Sequence, residues 1–303
     1  MQIKNNKLYH ENKPVSIIGI LGRNGNNVQT SFYKDIYDTL IEAGYGVLVG
    51  NSIKLWDGIN INHISNTDEI AKKADLAIIV GGDGTMLGYA RFLAKYNIPV
   101  IGINKGHLGF LADISPSKIK EKIFDLIHSD NLLVEERAMI DCAIIRNGKV
   151  FHSGLTLNEV VVSSINSHMI SYKVLINNKF SFAQKSDGII VATPTGSTAY
   201  SLSAGGPILD PSLNGFILNP LNPHTLSSRP LVIKDSSLIE ISLKEIRYNE
   251  ESNILLSYDG QVEVKCLPTD IIIMKKSKFN LKLLHQQDYN YYSIISSKIN
   301  WQN

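Results

Sequence analysis

The chain has 303 residues, enough for two domains with a core apiece, and its 44% apolar and 19% charged content is that of an ordinary soluble globular protein. A net charge of +2 offers no basic face for general nucleic-acid binding, and the two cysteines, Cys142 and Cys266, lack Cys or His neighbours at metal-ligand spacing. That argues against a disulfide framework or a structural zinc site and favours buried thiols in a reducing compartment. The first residues, MQIKNNKLYHENKP, lack the apolar core of a signal peptide, and no apolar run approaches the ~20 residues of a membrane span. A cytoplasmic protein with neither nucleic-acid nor membrane partners is expected.

In chain order, the apolar run Val15 to Leu21 predicts a strand, followed by a polar loop from Gly22 to Asn27. Gln29 to Ala43 has helical spacing (Phe32, Ile36, Leu40) and stops at Gly44, a C-cap residue. Gly46 to Val49 predicts a second strand, residues 51–66 are irregular, and Thr67 to Ala74 predicts a short helix. Leu76 to Val80 is a buried strand that runs into Gly-Gly-Asp-Gly-Thr and then a helix to about Tyr96. Pro99 to Ile103 is another buried strand, and Ser115-Pro116 reads as an N-cap with proline at the first helical position of a helix ending near His128. Strands alternating with helices predict a parallel sheet with helices on both faces.

Near residue 135 the pattern changes to short strands in succession, such as Ile140 to Ile145, Glu159 to Ser163, Tyr172 to Ile176, Gly188 to Val191 and Ile271 to Met274. Asn147-Gly148 and Asn177-Asn178 are hairpin signals and Asp259-Gly260 marks a turn. Only the stretch after Thr198 has any helical character. The fold class expected is an α/β N-terminal domain plus a β-rich, sandwich-like C-terminal domain, divided as 1–135 and 136–280. The tail from His285 carries Tyr289, Tyr291, Tyr292 and Trp301. These either dock 281–303 back on the first domain or leave a frayed terminus.

The turn at 81–85 carries the chemistry. Gly81, Gly82 and Gly84 let a bulky anion approach the main chain, and a helix start beyond them offers backbone amides to phosphate. Asp83 would repel that phosphate unless it holds a metal ion or takes a proton from a nucleophile, which points to phosphoryl transfer to a hydroxyl. An ordinary structural turn is the plain alternative. A second segment, Thr193-Pro194-Thr195-Gly196-Ser197-Thr198-Ala199-Tyr200-Ser201-Leu202-Ser203, follows the strand Ile189 to Ala192. Its hydroxyls and a helix start at Ser197 or Thr198 suit phosphate or ribose, against the alternative of a polar surface loop. Asn158-Glu159 opens an apolar strand and can clamp a ribose or an adenine edge. The loop Asn104 to Phe110 also leaves a strand end, so it and the glycine turn can share one crevice, with His107 a weaker candidate for phosphate. No Walker motif, G-x-G-x-x-G after the first strand, protein-kinase set or H-E-x-x-H is present.

Taken together, GGDGT at 81–85, Asn158-Glu159 and TPTGSTAYSLSAGGP at 193–207 resemble the signature set of bacterial NAD kinases. INKGHLGFL at 103–111 and Ser186-Asp187-Gly188 fit the same pattern, in the same order, over nearly the whole chain. Related Gly-Gly-Asp-Gly turns occur in diacylglycerol and sphingosine kinases and in phosphofructokinases, so the specificity lies in the combination with TGSTAY.

The resemblance implies transfer of a phosphoryl group from ATP, with a divalent metal such as Mg²⁺, to the 2′-hydroxyl of the adenosine ribose of NAD, giving NADP and ADP. It implies a site between the two domains and between subunits of a homo-oligomer, for which a tetramer is expected. By position Asp83 matches the general base, within the nucleotide-binding turn of Gly81, Gly82, Gly84 and Thr85. Asn158 and Glu159 match the pair that holds the nicotinamide-side ribose, and Asp187 matches an acidic contact to the nucleotide. Thr198, Ala199, Tyr200, Ser201, Leu202 and Ser203 match the segment that wraps it. His168, Lys185 and Gln261 fall near further dinucleotide contacts, and no metal ligand is assigned. The family often carries Arg where this chain has Lys185, and an ammonium cannot reproduce the bidentate fork. The alternatives are a lipid or sugar kinase sharing the turn, or a non-catalytic NAD or NADP sensor. The first lacks a membrane-facing stretch here, and the second is disfavoured by the presence of Asp83.

Overall fold

The computed structural model describes residues 2–4, 7–10, 13–23, 30–106, 108–117, 119–128, 133–165, 169–243 and 254–301. The chain divides into two compact units, Met1–Glu136 with Leu281–Asn303, and Arg137–Asn280.

The first unit is built on a parallel sheet. Its strands run in the spatial order Val100–Ile103, Leu76–Val80, Ile17–Gly22, Gly46–Gly50, Ile64–Ser65, and every pairing is parallel. Leu283, from the far end of the chain, pairs in parallel with Val100 and extends the sheet on that side. Leu76–Val80 and Val100–Ile103 are buried at every position, as expected where both faces of a parallel sheet are covered. Helix Thr30–Glu42 packs on Ile119–His128, and Thr67–Lys73 packs on Asp83–Leu93. Thr30–Glu42 stops at Gly44, whose φ of +83° is the left-handed cap that glycine adopts without strain.

Two expectations need correction here. The proline-led helix start at Ser115 is not observed: the Ser115 hydroxyl accepts from the Ser117 amide in a local turn, and the helix begins at Ile119. A Ser hydroxyl that accepts from the amide two residues on closes a local turn ahead of the helix. The stretch 51–66, read as irregular, holds a two-residue strand, Ile64–Ser65, too short to give a pattern.

The second unit is a pair of antiparallel layers. One runs in the order Leu231–Lys234, Gly215–Leu221, Gly188–Ala192, Glu159–Ser164, Ile254–Tyr258, Val262–Cys266. The other contains Lys179–Ser186, Ile170–Ile176, Ile239–Leu243 and the start of Ile271–His285, together with the hairpin of Leu133–Arg146 and Lys149–Thr156. Because side chains alternate along a strand, Val160 and Val162 join Ile189, Val191, Tyr172 and Ile241 in the core shared by the two layers. Val161, Ile190 and Ala192 point the other way into a smaller cluster with Leu209 and Leu221. Asn147-Gly148, Asn177-Asn178 and Asp259-Gly260 all have positive φ, from 51° to 73°, the first two filling two-residue hairpin loops and the third followed by Gln261 in a three-residue loop. That double left-handed geometry matches the twist of the flanking strands.

The tail of the chain forms helix Tyr291–Ile299, whose first turn is capped by the Asn290 side chain accepting from the Ser293 amide at 3.1 Å. Tyr291, Ile294 and Ile295 are buried in the first unit, whereas Tyr292 and Trp301 are exposed.

Candidate active site

Strand Leu76–Val80 ends at Gly81, and Asp83 is the first residue of helix Asp83–Leu93 with Gly82 as its cap. Gly81 is pinned: its amide donates to Ile103 O at 2.9 Å, and a Cβ there would stand 2.5 Å from the Thr85 side chain. Gly82 and Gly84 differ from it. Neither has positive φ, and among the described residues a Cβ on either would meet no atom within 4 Å outside its chain neighbours and the helix's own backbone. Packing and backbone conformation therefore do not require glycine at either place. Among the described residues, what the two glycines leave is open space beside the main chain of a helix's first turn.

The Asp83 carboxylate is held from outside the turn. Phe110 N donates to Oδ2 at 2.9 Å, and Leu111 N and Ala112 N donate to Oδ1 at 2.9 and 3.3 Å. The loop that follows strand Val100–Ile103 thus joins the glycine turn through Asp83, as expected of two loops at one edge of a parallel sheet. His107 lies outside the described residues.

In the second unit Asp259 plays the corresponding part. Its carboxylate accepts from Leu157 N at 3.1 Å, Asn158 N at 2.7 Å and Glu159 N at 3.2 Å, and from the Thr156 hydroxyl. Asn158 O accepts from Thr193 N, and a Cβ on Gly196 would lie 2.2 Å from that same oxygen. Glu159 receives a backbone hydrogen bond from Tyr200. So Asn158, Glu159, Asp259 and the segment from Thr193 to Tyr200 form one cluster. Glu159 is buried, its Oε2 has no hydrogen-bond partner among the described residues, and its carboxyl is pushed up to about 8. Burial is the main cause, the Asp259 charge adds to it, and the Tyr200 amide opposes it.

The hydroxyl-rich segment is more inward than its composition suggests. No helix starts at Ser197 or Thr198. Thr195–Thr198 forms a single 3₁₀ turn, and Tyr200–Ser203 a single α turn. The Thr193 hydroxyl donates to Leu157 O, Ser197 to Pro194 O and Thr198 to Thr195 O. These groups knot the loop together. The Ser201 hydroxyl is buried without a partner among the described residues, while Tyr200 and Ser203 are exposed. Ala199 and Leu202 are half-buried.

Lys185 and Asp187 are placed elsewhere in the unit. They precede strand Gly188–Ala192, whereas Thr193 follows it, so the six steps from Asp187 to Thr193 at ~3.3 Å per residue set them roughly 20 Å apart. Asp187 accepts from Asn222 Nδ2 at 2.9 Å, and Lys185 is exposed with its carbonyl accepting from His224 N. Gln261 closes the hairpin beside Asp259, its amide donating to Tyr258 O. His168 lies outside the described residues. The sequence reading missed Asp259, which looks like any Asp-Gly turn, and the amides of 110–112, which any residue can supply.

Residues 18–131 match the ATP-NAD kinase N-terminal domain, and residues 157–286 match the ATP-NAD kinase C-terminal domain. An NAD kinase of Pasteurella multocida is 48% identical over 286 residues, spanning 94% of this chain and 93% of its own. An NAD kinase of Haemophilus influenzae is 42% identical over 281 residues, covering 92% and 96% of the two chains. Among solved structures, yeast NADH kinase complexed with NADH superimposes with a TM-score of 0.83 at 24% identity, over 96% of this chain and 89% of its own. An Archaeoglobus fulgidus NAD kinase in complex with ATP gives 0.73 at 24% identity, over 94% and 98%. The structural likenesses establish the fold class, an α/β unit joined to a β-rich unit. The sequence matches carry the assignment further: the chain belongs to the ATP-NAD kinase family.

Proposed function

We propose that the chain transfers the γ-phosphoryl group of ATP to the 2′-hydroxyl of the adenosine ribose of NAD, releasing NADP and ADP, with Asp83 as general base. The observation that carries this is the pair Gly82 and Gly84, glycines that neither packing nor conformation demands, set over open space at a helix start. A triphosphate resting on that turn would meet bare main chain at positions 82 and 84. An ionised carboxylate offers about four acceptor sites, and three amides occupy three of those on Asp83. The grip fixes the direction of the carboxylate and leaves acceptor capacity for the proton of an attacking hydroxyl. Enzymatic phosphoryl transfer depends mainly on positioning and charge neutralisation, and a rigid turn supplies the first.

On the NAD side the reading assigns Asn158, Glu159 and the stretch Thr198 to Ser203, with His168, Lys185, Asp187 and Gln261 as outer contacts. Among the described residues no group of three or more His, Cys, Asp or Glu side chains can hold a metal ion. Mg²⁺ would arrive with the substrate as MgATP, because Mg²⁺ keeps several waters and takes most of its remaining ligands from phosphates. A cytoplasmic location and a tetrameric homo-oligomer complete the proposal. Among the described residues no helix is long and apolar enough to cross a membrane.

The test is NADP formation by the purified protein from NAD, ATP and Mg²⁺, with Asp83→Asn alongside. Turnover in the wild type and its loss in the variant, with NAD affinity retained, is the expected result. NAD binding without NADP in the wild type would identify a sensor instead, and full turnover in Asp83→Asn would remove the base assignment.

A further inference from the structure

The loop that grips Asp83 is itself held from the other end of the chain. His285 is 1% exposed, with Nδ1 2.9 Å from Asp113 Oδ2 and Nε2 3.2 Å from Glu135 Oε2. A neutral imidazole carries one N–H, so two carboxylates facing both nitrogens select the doubly protonated ring. Burial alone would lower the affinity of His285 for that proton, but the hydrogen bonds and charges of Asp113 and Glu135 outweigh it and raise the pKa. Tyr289 stacks on the ring at 3.7 Å and 13°. Asp113 directly follows Ala112, whose amide is one of the three on Asp83. At the opposite side of the grip, Phe110 packs against Tyr291 of the C-terminal helix with centroids 6.3 Å apart. Both contacts and the loop belong to the first unit.

We propose that the C-terminal segment from Leu281 to Ile299 positions the Asp83 carboxylate, with His285 and Tyr291 acting as positioning residues that fasten the 110–113 loop at its two ends. The proposal deepens the reading of Asp83 as base, and for catalysis it rests on that reading. His285 does not touch Asp83. It anchors Asp113, and the rigid link from Asp113 to Ala112, Leu111 and Phe110 presents three amides at fixed points. A displacement on the order of 1 Å of a catalytic group can cost about a hundredfold in rate, so a loosened loop should register in kcat before binding.

The experiment pairs His285→Gln with His285→Asn in the full chain. Gln places its amide near the position of Nε2 and can serve Glu135 only. Asn places its amide near Nδ1 and keeps the bond to Asp113. Hydrogen exchange at the amides of 110–112 reads the grip directly, with Asp83→Ala, which removes both acceptor oxygens, setting the rate for a lost one. The expected result is about tenfold faster exchange and about tenfold lower kcat in His285→Gln, unchanged NAD affinity, and recovery of both in His285→Asn. Tyr291→Leu, which changes no charge, provides the same readout should the His285 variants fold poorly. Faster exchange with unchanged kcat would keep the positioning and overturn the assignment of Asp83 as base. Unchanged exchange at 110–112 in folded variants would overturn the positioning itself.

Discussion

Gly109 and Asp83 leave no room for anything between them: a Cβ on Gly109 would stand 2.3 Å from Asp83 Oδ1. The glycine is there because the carboxylate occupies its side-chain space. Gly109→Ala should push the carboxylate off its three amides and lower kcat about a hundredfold, with NAD affinity nearly unchanged. Steady-state kinetics beside calorimetric NAD binding separates the two effects. A parallel loss of affinity would show that the substitution had disturbed more than the carboxylate.

Gly84 invites the opposite kind of substitution. It lies in the first turn of helix Asp83–Leu93 with open space around it. Alanine should stabilise that helix by about 0.5–1 kcal/mol, because glycine loses more backbone freedom on folding. The added methyl group would occupy the space proposed for the triphosphate. Gly84→Ala is therefore expected to raise Tm slightly while raising KM for ATP several-fold, a trade visible in a melting curve and one kinetic series.

Asp259 satisfies the amides of Leu157, Asn158 and Glu159 together with the Thr156 hydroxyl. Removing the carboxylate strands buried donors at ~1–3 kcal/mol each, so Asp259→Ala should cost on the order of 3–5 kcal/mol of stability. Asp259→Asn retains one acceptor oxygen and should cost less than half as much. Urea denaturation of the two variants measures the difference.

Glu159 makes stability depend on pH. Its folded pKa of about 8 exceeds the ordinary 4.5, so the folded state binds the proton more tightly than the unfolded chain does. Its contribution is complete below about 4.5 and is lost as the pH climbs through about 8. Glu159→Gln keeps the shape and removes the titration. Relative to the wild type, the variant should gain on the order of 4 kcal/mol between pH 5 and pH 8.5, measured as the widening gap between their melting curves.

Local chemistry was the legible part of this chain. The all-apolar run Leu76–Val80 and its glycine turn announce themselves, and Asn147-Gly148 or Asn177-Asn178 specify hairpins because few residues accept left-handed backbone at two successive positions. The amides that grip Asp83 were illegible because the main chain carries no residue identity. Asp259 was read as turn chemistry, and only the fold brings its carboxylate to a loop near residue 158. The Ser and Thr groups of 193–198 suggested a ligand-facing surface, yet the hydroxyls of Thr193, Ser197 and Thr198 are bonded to carbonyls of their own surroundings. A hydroxyl in a sequence does not reveal which side of the chain it serves.

The pairing of Leu283 with Val100 also fixes an order of events during synthesis. Strand Val100–Ile103 leaves the ribosome with the first part of the chain, but the segment that covers its edge emerges only after the whole second unit has been made. Until then the edge is covered only at its far end, where Ile114 bridges Ile103, and the Val100 end stands unpaired beside a loop whose fastening residues, His285 and Tyr291, do not yet exist. The N-terminal unit can build most of its sheet while the next is translated but can complete it only after residue 281 has been made. Its second unit is free to fold first, and a nascent chain stalled before residue 281 would present a strand edge that chaperones or other chains can capture.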